Sequence, residues 1–193
     1  MIDMMSRSAD EPIVLKLRKT EPAEPLIVAM TAIRMGDRLL IVGCSDPSVV
    51  AQLAVKPGLT GRTCAVDEDP QHSVHAAAAA EKAGALVEAE TAPPTALPYG
   101  DESFDVVVVS HLLPRLPADR RLSCLAEAAR VLRGGGRCVV VQPGRRAGLT
   151  GLFRATPEMT SADIETVMQS AGFRAVRTIA ERGGLAFVEG GRR

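Results

Sequence analysis

The sequence predicts a doubly wound α/β fold: a mostly parallel, seven-stranded sheet with helices on both faces and a C-terminal antiparallel hairpin. Short apolar runs alternate with segments of helical spacing along the 193 residues. The runs are almost purely aliphatic, as in the four valines at 106–109, and strands buried on both faces have this composition. Two final strand-like runs flank Gly183 and Gly184, which indicates the hairpin.

The first strand, turn and helix start within residues 37–48. Four large apolar residues at 39–42 predict a buried strand, and Gly43 predicts a tight turn after it. Asp46 followed by Pro47 predicts a helix start, because the carboxylate can accept unpaired backbone N–H groups and proline loses a donor the helix does not need. Open α/β sheets bind nucleotide-like ligands at such a junction.

The remaining elements follow in chain order. Asp119 is expected to cap the helix that starts there, and the glycines at 134–136 are expected to end it. A short lead-in helix is expected at 21–34. The expected strands lie at 62–66, 85–88, 104–109, 137–142, 175–180 and 185–189, and the expected helices at 72–83, 119–132 and 161–170.

Composition and charge exclude several classes of protein. With 23 basic and 23 acidic residues the formal net charge is zero, which argues against a nucleic-acid binder with a broad basic surface. No secretory signal and no apolar run of membrane-spanning length is visible, so we expect a cytoplasmic protein without a membrane span. We expect an N-terminal arm at 1–20, partly flexible, and a single domain at 21–193. The cysteines lack metal-site spacing, so no metal is expected, and they are interpreted as reduced, buried thiols: Cys44, Cys64, Cys124 and Cys138.

Three segments carry a resemblance to a known family. They are LPYGDESFDVVV at 97–108, AEAARVLRGGGR at 126–137 and SAGF at 170–173. In this order they resemble the signatures of the class I S-adenosylmethionine (SAM)-dependent methyltransferases, most closely the small-molecule group that includes the ubiquinone-biosynthesis methyltransferases. The similarity covers roughly residues 36–189 and implies a Rossmann-like methyltransferase fold with SAM as cofactor.

The resemblance also implies a set of binding residues. Asp67 matches the acid that accepts hydrogen bonds from both ribose hydroxyls, for which a carboxylate is suited because two acceptors face two donors. Gly43 and Ser45 stand in the family's glycine loop, and Leu97 stands where an apolar side chain packs on the adenine ring. The cofactor-binding residues expected on this basis are Gly43, Ser45, Asp67, Glu68, Leu97, Ser110 and His111.

The same loop departs from the family's D-x-G-x-G-x-G pattern. Ile41 stands where the acid should be, Ser45 replaces the second glycine and Pro47 the third; proline fixes φ and removes an N–H. Pro93 replaces the aspartate that contacts the adenine amino group. The loop is therefore interpreted either as a variant SAM loop or as a self-capped turn in which Asp46 takes the donors that a ligand would use.

The catalytic residues cannot be named from the sequence, and His111 is a weak candidate for a general base, with a structural histidine as the alternative. Arg145 and Arg146 are interpreted as a solvated basic turn, with contact to an anionic substrate or partner as the alternative. Two functions stay open. One is a SAM-dependent methyltransferase that transfers the methyl group in line to a small-molecule acceptor; the other is a methyltransferase-like scaffold that has lost SAM and binds a protein partner. An NAD-dependent oxidoreductase is disfavoured, because G-x-G-x-x-G is missing.

Overall fold

A computed structural model describes residues 25–144 and 159–193. The predicted arm at 1–20, Arg145 and Arg146 lie outside the described residues. The described strands are β1 (Arg38–Val42), β2 (Arg62–Asp67), β3 (Glu88–Thr91), β4 (Phe104–Ser110), β5 (Leu132–Pro143), β6 (Arg174–Arg182) and β7 (Leu185–Gly191). They form one seven-stranded sheet in the order β3-β2-β1-β4-β5-β7-β6, in which β7 runs antiparallel to both of its neighbours. The predicted fold class is confirmed.

Two apolar clusters, one on each face, hold the helices to the sheet. Alternate residues of β1 and β4 point to opposite faces. Leu40 and Val107 belong to one cluster, whereas Leu39 and Val106 belong to the other. The first cluster includes residues of α4 and α5, and the second includes residues of α1, α2 and α3. The helices are α1 (Leu26–Thr31), α2 (Pro47–Ala54), α3 (Pro70–Lys82), α4 (Ala118–Val131) and α5 (Ser161–Ser170).

Several predicted element boundaries are wrong, most clearly those of β3, α4 and β5. The third strand begins at Glu88 instead of residue 85, because Ala85 still donates its N–H to Ala80 at the end of α3. Helix α4 begins at Ala118, so Asp119 lies in its first turn and does not cap it. The helix ends at Val131, before the glycines at 134–136; these lie within β5, whose pairing with β4 already starts at Leu132.

The lead-in helix is also shorter than expected. Within the described residues α1 covers only Leu26–Thr31 and ends where Ala32 adopts a left-handed conformation, φ 45°.

The order of the strands in the sheet reverses between β1 and β4. The chain continues from β1 to β2 and β3 on one side of β1, whereas β4 lies on its other side. The crevice at the carboxyl ends of these two strands is the place where sheets of this kind bind ligands.

Candidate functional site

The turn after β1 passes very close to the end of β4. Gly43 has φ +93°, and its N–H donates to the carbonyl of Val66 at 2.8 Å. A Cβ atom built on Gly43 would lie 2.4 Å from the carbonyl oxygen of Ser110. Both the backbone conformation and the space therefore require glycine at this position.

Asp67, the last residue of β2, connects this turn to the second strand. Its side chain is 8% exposed. Oδ2 accepts a hydrogen bond from the N–H of Cys44 at 2.6 Å, and Oδ1 accepts one from the N–H of Asp69 at 3.0 Å. The carboxylate is thus held in place from both sides by backbone donors.

Asp67 also faces a cavity of about 240 Å³ at the carboxyl ends of β2 and β4. Residues of the turn at 43–45 do not line this cavity, although Cys44 contacts Asp67 behind it. The sequence analysis identified two of its lining residues, Asp67 and Glu68, and the others come from the start of α3 and the loop after β4. The lining residues are Asp67, Glu68, Asp69, His72, Leu112, Arg115 and Leu116.

His72 was missed as a site residue because no motif marks it. It lies in the first turn of α3, where its Nδ1 is 3.2 Å from Oδ1 of Asp67 and its Nε2 is 3.8 Å from Oδ2 of Asp69. The sequence did contain one signal for it: His72 follows Asp67 by five positions across the junction from β2 to α3, which brings the two side chains to the same end of the sheet. The imidazole therefore shares the carboxylate that the resemblance assigns to ribose.

Glu68 extends toward α4, where its Oε2 accepts a hydrogen bond from Nη2 of Arg120 at 3.0 Å. The two side chains are 49% and 35% exposed, so this ion pair contributes little to stability. It joins the loop after β2 to the start of α4 beside the cavity.

Ser110 is the last residue of β4, and His111 follows it. Ser110 is buried, and its Oγ lies 3.0 Å from Nδ1 of His111. His111 has φ +52°, an uncommon conformation for a residue other than glycine, and its N–H donates to the carbonyl of Val141 at 2.8 Å. Burial lowers the pKa of the imidazole below 6.5, and the nearby Asp46 carboxylate opposes this only in part. Burial therefore disfavours the charged form of His111.

The other predicted residues are distributed as follows. Asp46 caps α2, where it accepts hydrogen bonds from the N–H and the Oγ of Ser48 at 3.0 and 2.7 Å, and half-buried Ser45 precedes it. Leu97 is 6% exposed and packs into the apolar cluster on the α4 face, so little of its side chain is available to a ligand. Ile41, in place of the acid, is fully buried.

The described residues contain no group of three histidine, cysteine, aspartate or glutamate side chains that could hold a metal ion. No helix in the described ranges is long and apolar enough to cross a membrane. All four cysteines are buried free thiols, as expected. Burial, the largest effect, raises the pKa of Cys44 to about 12, so its sulfur is not a nucleophile at neutral pH.

Comparison with known proteins places these features in a family. A family model described as "Methyltransferase domain" matches residues 40–140. The chain is 32% identical over 128 residues to 27-O-demethylrifamycin SV methyltransferase of Amycolatopsis mediterranei (strain S699), a match that covers 66% of this chain and 46% of that protein. It is 34% identical over 112 residues to the probable methyltransferase ltbC of Aspergillus luteorubrus, covering 54% and 39%. The chain thus aligns with less than half the length of either relative.

Solved structures show the same fold. A SAM-dependent methyltransferase from Aquifex aeolicus superposes with a TM-score of 0.72 at 18% identity, covering 85% of this chain and 86% of that one. The [4+2]-cyclase SpnF superposes with a TM-score of 0.69 at 18% identity, covering 86% and 78%. At these identities the likeness concerns the fold alone.

Proposed function

Because the chain belongs to the methyltransferase domain family, we propose that it is a SAM-dependent methyltransferase that acts on a small molecule by direct in-line methyl transfer. The observation that carries the proposal is the placement of Asp67. Its carboxylate lies at the end of β2, is fixed by the backbone of the turn after β1, and faces a cavity at the point where the strand order reverses.

The Asp67 carboxylate fits the ribose of SAM. An ionised carboxylate offers about four lone-pair sites. Two are used by the N–H groups of Cys44 and Asp69, and His72 is in contact with a third. The carboxylate therefore keeps acceptor capacity toward the cavity, and rotation of His72 away from Oδ1 gives a vicinal diol access to both oxygens.

We place the rest of the cofactor around the same crevice. Gly43 and Ser45 lie beside the methionine part, where the turn approaches the end of β4. Glu68 follows the ribose acid and borders the cavity, whereas Leu97 is packed in the apolar cluster on the α4 face and supports the crevice from behind. Ser110 and the following His111 lie at the end of β4, near the reacting methyl group.

Bound SAM supplies an electrophilic methyl group on a positively charged sulfonium. The residues of the chain orient the acceptor and exclude water. Holding the acceptor in line with the methyl group lowers the entropic part of the activation barrier, which can supply a large part of the rate enhancement. A neutral His111 can take the proton from an acceptor hydroxyl. Its Nδ1 already contacts Ser110 Oγ, so we assign this role to Nε2.

The departures from the family pattern predict weak cofactor binding. Ile41, Pro47 and Pro93 remove polar contacts that the family makes. Each charge-assisted hydrogen bond is worth about 1.5–3 kcal/mol, which corresponds to about one to two decades of affinity. We therefore expect binding in the high micromolar range, which is within reach of a calorimetric titration.

Calorimetric titration with S-adenosylhomocysteine tests the proposal against the scaffold alternative, which no structural observation specifically favours. We expect saturable binding by the wild-type protein and its loss in Asp67→Ala. Glu81→Ala is the matched control, because Glu81 is an exposed carboxylate of α3 outside the site. A folded wild-type protein that shows no heat up to millimolar ligand would contradict the enzyme proposal and leave the scaffold.

A further inference from the structure

A second, larger cavity lies at the same edge of the sheet, between the carboxyl end of β5 and the start of α5. Its volume is about 390 Å³. It lies next to the proposed cofactor site, because β5 neighbours β4 at this end of the sheet. The carbonyl of Val141, the residue before Gln142, accepts a hydrogen bond from the N–H of His111. The described residues that line it are Gln142, Pro143, Gly144, Met159, Thr160, Ser161, Ala162, Glu165, Thr178, Glu181 and Ala186.

Gln142 in the wall of this cavity is only half satisfied. It is 2% exposed, and its Nε2 donates to the carbonyl of Met159 at 2.8 Å, which fixes the orientation of the amide. Its Oε1 has no hydrogen-bond partner among the described residues. A buried acceptor without a partner is costly, so a donor supplied from the cavity would be favoured.

Two carboxylates border the same cavity. Oε1 of Glu165 accepts hydrogen bonds from the N–H and Oγ1 of Thr178 at 2.7 and 2.6 Å, which holds the side chain in place. Glu181 accepts a hydrogen bond from the Oγ of Ser161. Among the described lining residues there are two carboxylates and no lysine, arginine or histidine. In this described lining the charged side chains are therefore both carboxylates, which favour a cationic group on a ligand.

Apolar walls complete the cavity. Pro143, Met159 and Ala186 contribute carbon surface beside the acceptors. A ligand that fits both parts carries a protonated amine for the carboxylates, a small apolar body for the walls and an N–H or O–H donor for Gln142.

We propose that this cavity binds a small organic molecule through its protonated amine, and that the same molecule is the methyl acceptor through a separate hydroxyl group, whose proton passes to Nε2 of His111. The ammonium nitrogen has no lone pair and only anchors the molecule in the cavity. The second half of the proposal rests on the proposed function, whereas the first half does not. Gln142 and Glu181 then determine acceptor specificity: the amide oxygen accepts a donor of the ligand, and the carboxylate pairs with its charge.

A matched pair of probes tests the site. Cyclohexylamine and cyclohexanol have nearly the same size and shape, but only the amine is charged at pH 7. We would titrate each into the full chain labelled with ¹³C at its methionine methyl groups, with and without saturating S-adenosylhomocysteine. Met159 lines the cavity and reports binding there, and Met35, exposed and outside the lining, is the internal control.

We expect the dissociation constant read from the shift of the Met159 signal to be at least tenfold lower for cyclohexylamine than for cyclohexanol. The Met35 signal should not change. Glu181→Gln should weaken the amine about tenfold. Gln142→Met, which removes the acceptor and keeps the volume, should weaken it severalfold. Glu81→Gln, in an exposed carboxylate of α3, should have no effect. If Gln142→Met does not fold, the surface variant Glu181→Gln still decides the outcome.

Equal binding of the two probes, binding that Glu181→Gln leaves unchanged, or no shift of Met159 would overturn the amine site. These results are separable from the proposed function. If the protein binds the amine but not S-adenosylhomocysteine, the amine site is supported and its assignment to the methyl acceptor is overturned. If it binds S-adenosylhomocysteine but not the amine, the methyltransferase proposal is supported and the amine site is overturned.

Discussion

The backbone N–H of Cys44 donates a hydrogen bond of 2.6 Å to Oδ2 of Asp67, across the boundary between β1 and β2. This contact joins the turn that stands in place of the glycine loop to the carboxylate that the resemblance assigns to ribose. Cys44 is fully buried, so its N–H has no access to water as an alternative partner. Asp67 therefore supports the local structure of the site as well as its proposed chemistry.

The first prediction follows from this double role. Asp67→Ala leaves the buried N–H of Cys44 without an acceptor, which costs about 1–3 kcal/mol in the free energy of unfolding. Asp67→Asn keeps one amide oxygen as an acceptor and should cost less. Urea denaturation of both variants, with Glu81→Ala as the exposed control, measures the difference. Equal stability of Asp67→Ala and the wild type would show that the contact does not hold the turn.

The second prediction concerns Gly43, whose φ is +93° and whose Cβ position is occupied by the Ser110 carbonyl. Gly84 is the matched control, because it has φ +82° but nothing within 4 Å of its Cβ position. Gly84→Ala should cost only the backbone strain, about 1–3 kcal/mol. Gly43→Ala adds the overlap and should cost about 1–3 kcal/mol more. Thermal unfolding compares the two; similar losses would contradict the close approach.

The third prediction is a pH dependence of stability. Burial lowers the pKa of His111 in the folded protein below its ordinary value of 6.5. Between these two pKa values the unfolded chain therefore binds more protons than the folded protein does. The free energy of unfolding rises with pH through this window, and the destabilisation that His111 causes at low pH is absent above 6.5. Urea unfolding from pH 5 to 8 measures the slope.

His111→Asn provides the control for this slope, because asparagine tolerates positive φ and does not titrate in this range. The variant should lose the His111 part of the slope below pH 6.5. A slope that is the same in both proteins would assign the effect to another group and leave His111 with an ordinary pKa.

The fourth prediction concerns Asp105 in β4, which accepts hydrogen bonds from the N–H and Nε of Arg38 at 2.7 and 3.1 Å and from Arg133. Burial alone would raise the pKa of this carboxyl, but these hydrogen bonds outweigh it and lower the pKa to about 2. Its stabilising contribution is present above its ordinary value of 3.8 and is lost as the pH falls toward 2.

Asp105→Asn should therefore destabilise the protein at pH 7 by about 1–2 kcal/mol, and by much less at pH 2.5. Because Asp105 lies outside the crevice, binding of S-adenosylhomocysteine at pH 7 should not change in a sample that is still folded. A loss of stability that is independent of pH would mean that the carboxylate is not the charged partner of Arg38.

The fold was largely predictable because its signals are local. The valines of β4 mark a buried strand, and Asp46 caps α2 as predicted, where its carboxylate accepts a hydrogen bond from the N–H of Ser48. The error at the end of α4 has a non-local cause. The glycines at 134–136 have the composition of a helix end, but the pairing of Leu132 with Phe104 determines where β5 begins.

The site was less predictable because it depends on contacts between distant segments. Asp67 ends a strand and was found from the family pattern, whereas no motif marks His72 or the Cys44 N–H, which converge on it in the fold. Burial of Leu97 in the α4-side cluster likewise follows from packing rather than from its motif. The cavity at Gln142 requires β5, α5 and β6 to be placed together.

The central claim, that the Asp67 carboxylate binds the ribose diol of the cofactor, is tested most directly by a double-mutant cycle. Calorimetry would measure S-adenosylhomocysteine and its 2′,3′-dideoxy analogue against the wild-type protein and Asp67→Asn. We predict that the wild type binds the analogue about tenfold or more weakly, and that this difference shrinks to less than about threefold in the variant. A wild-type protein that does not distinguish the two ligands, or a variant that distinguishes them equally well, would contradict the account.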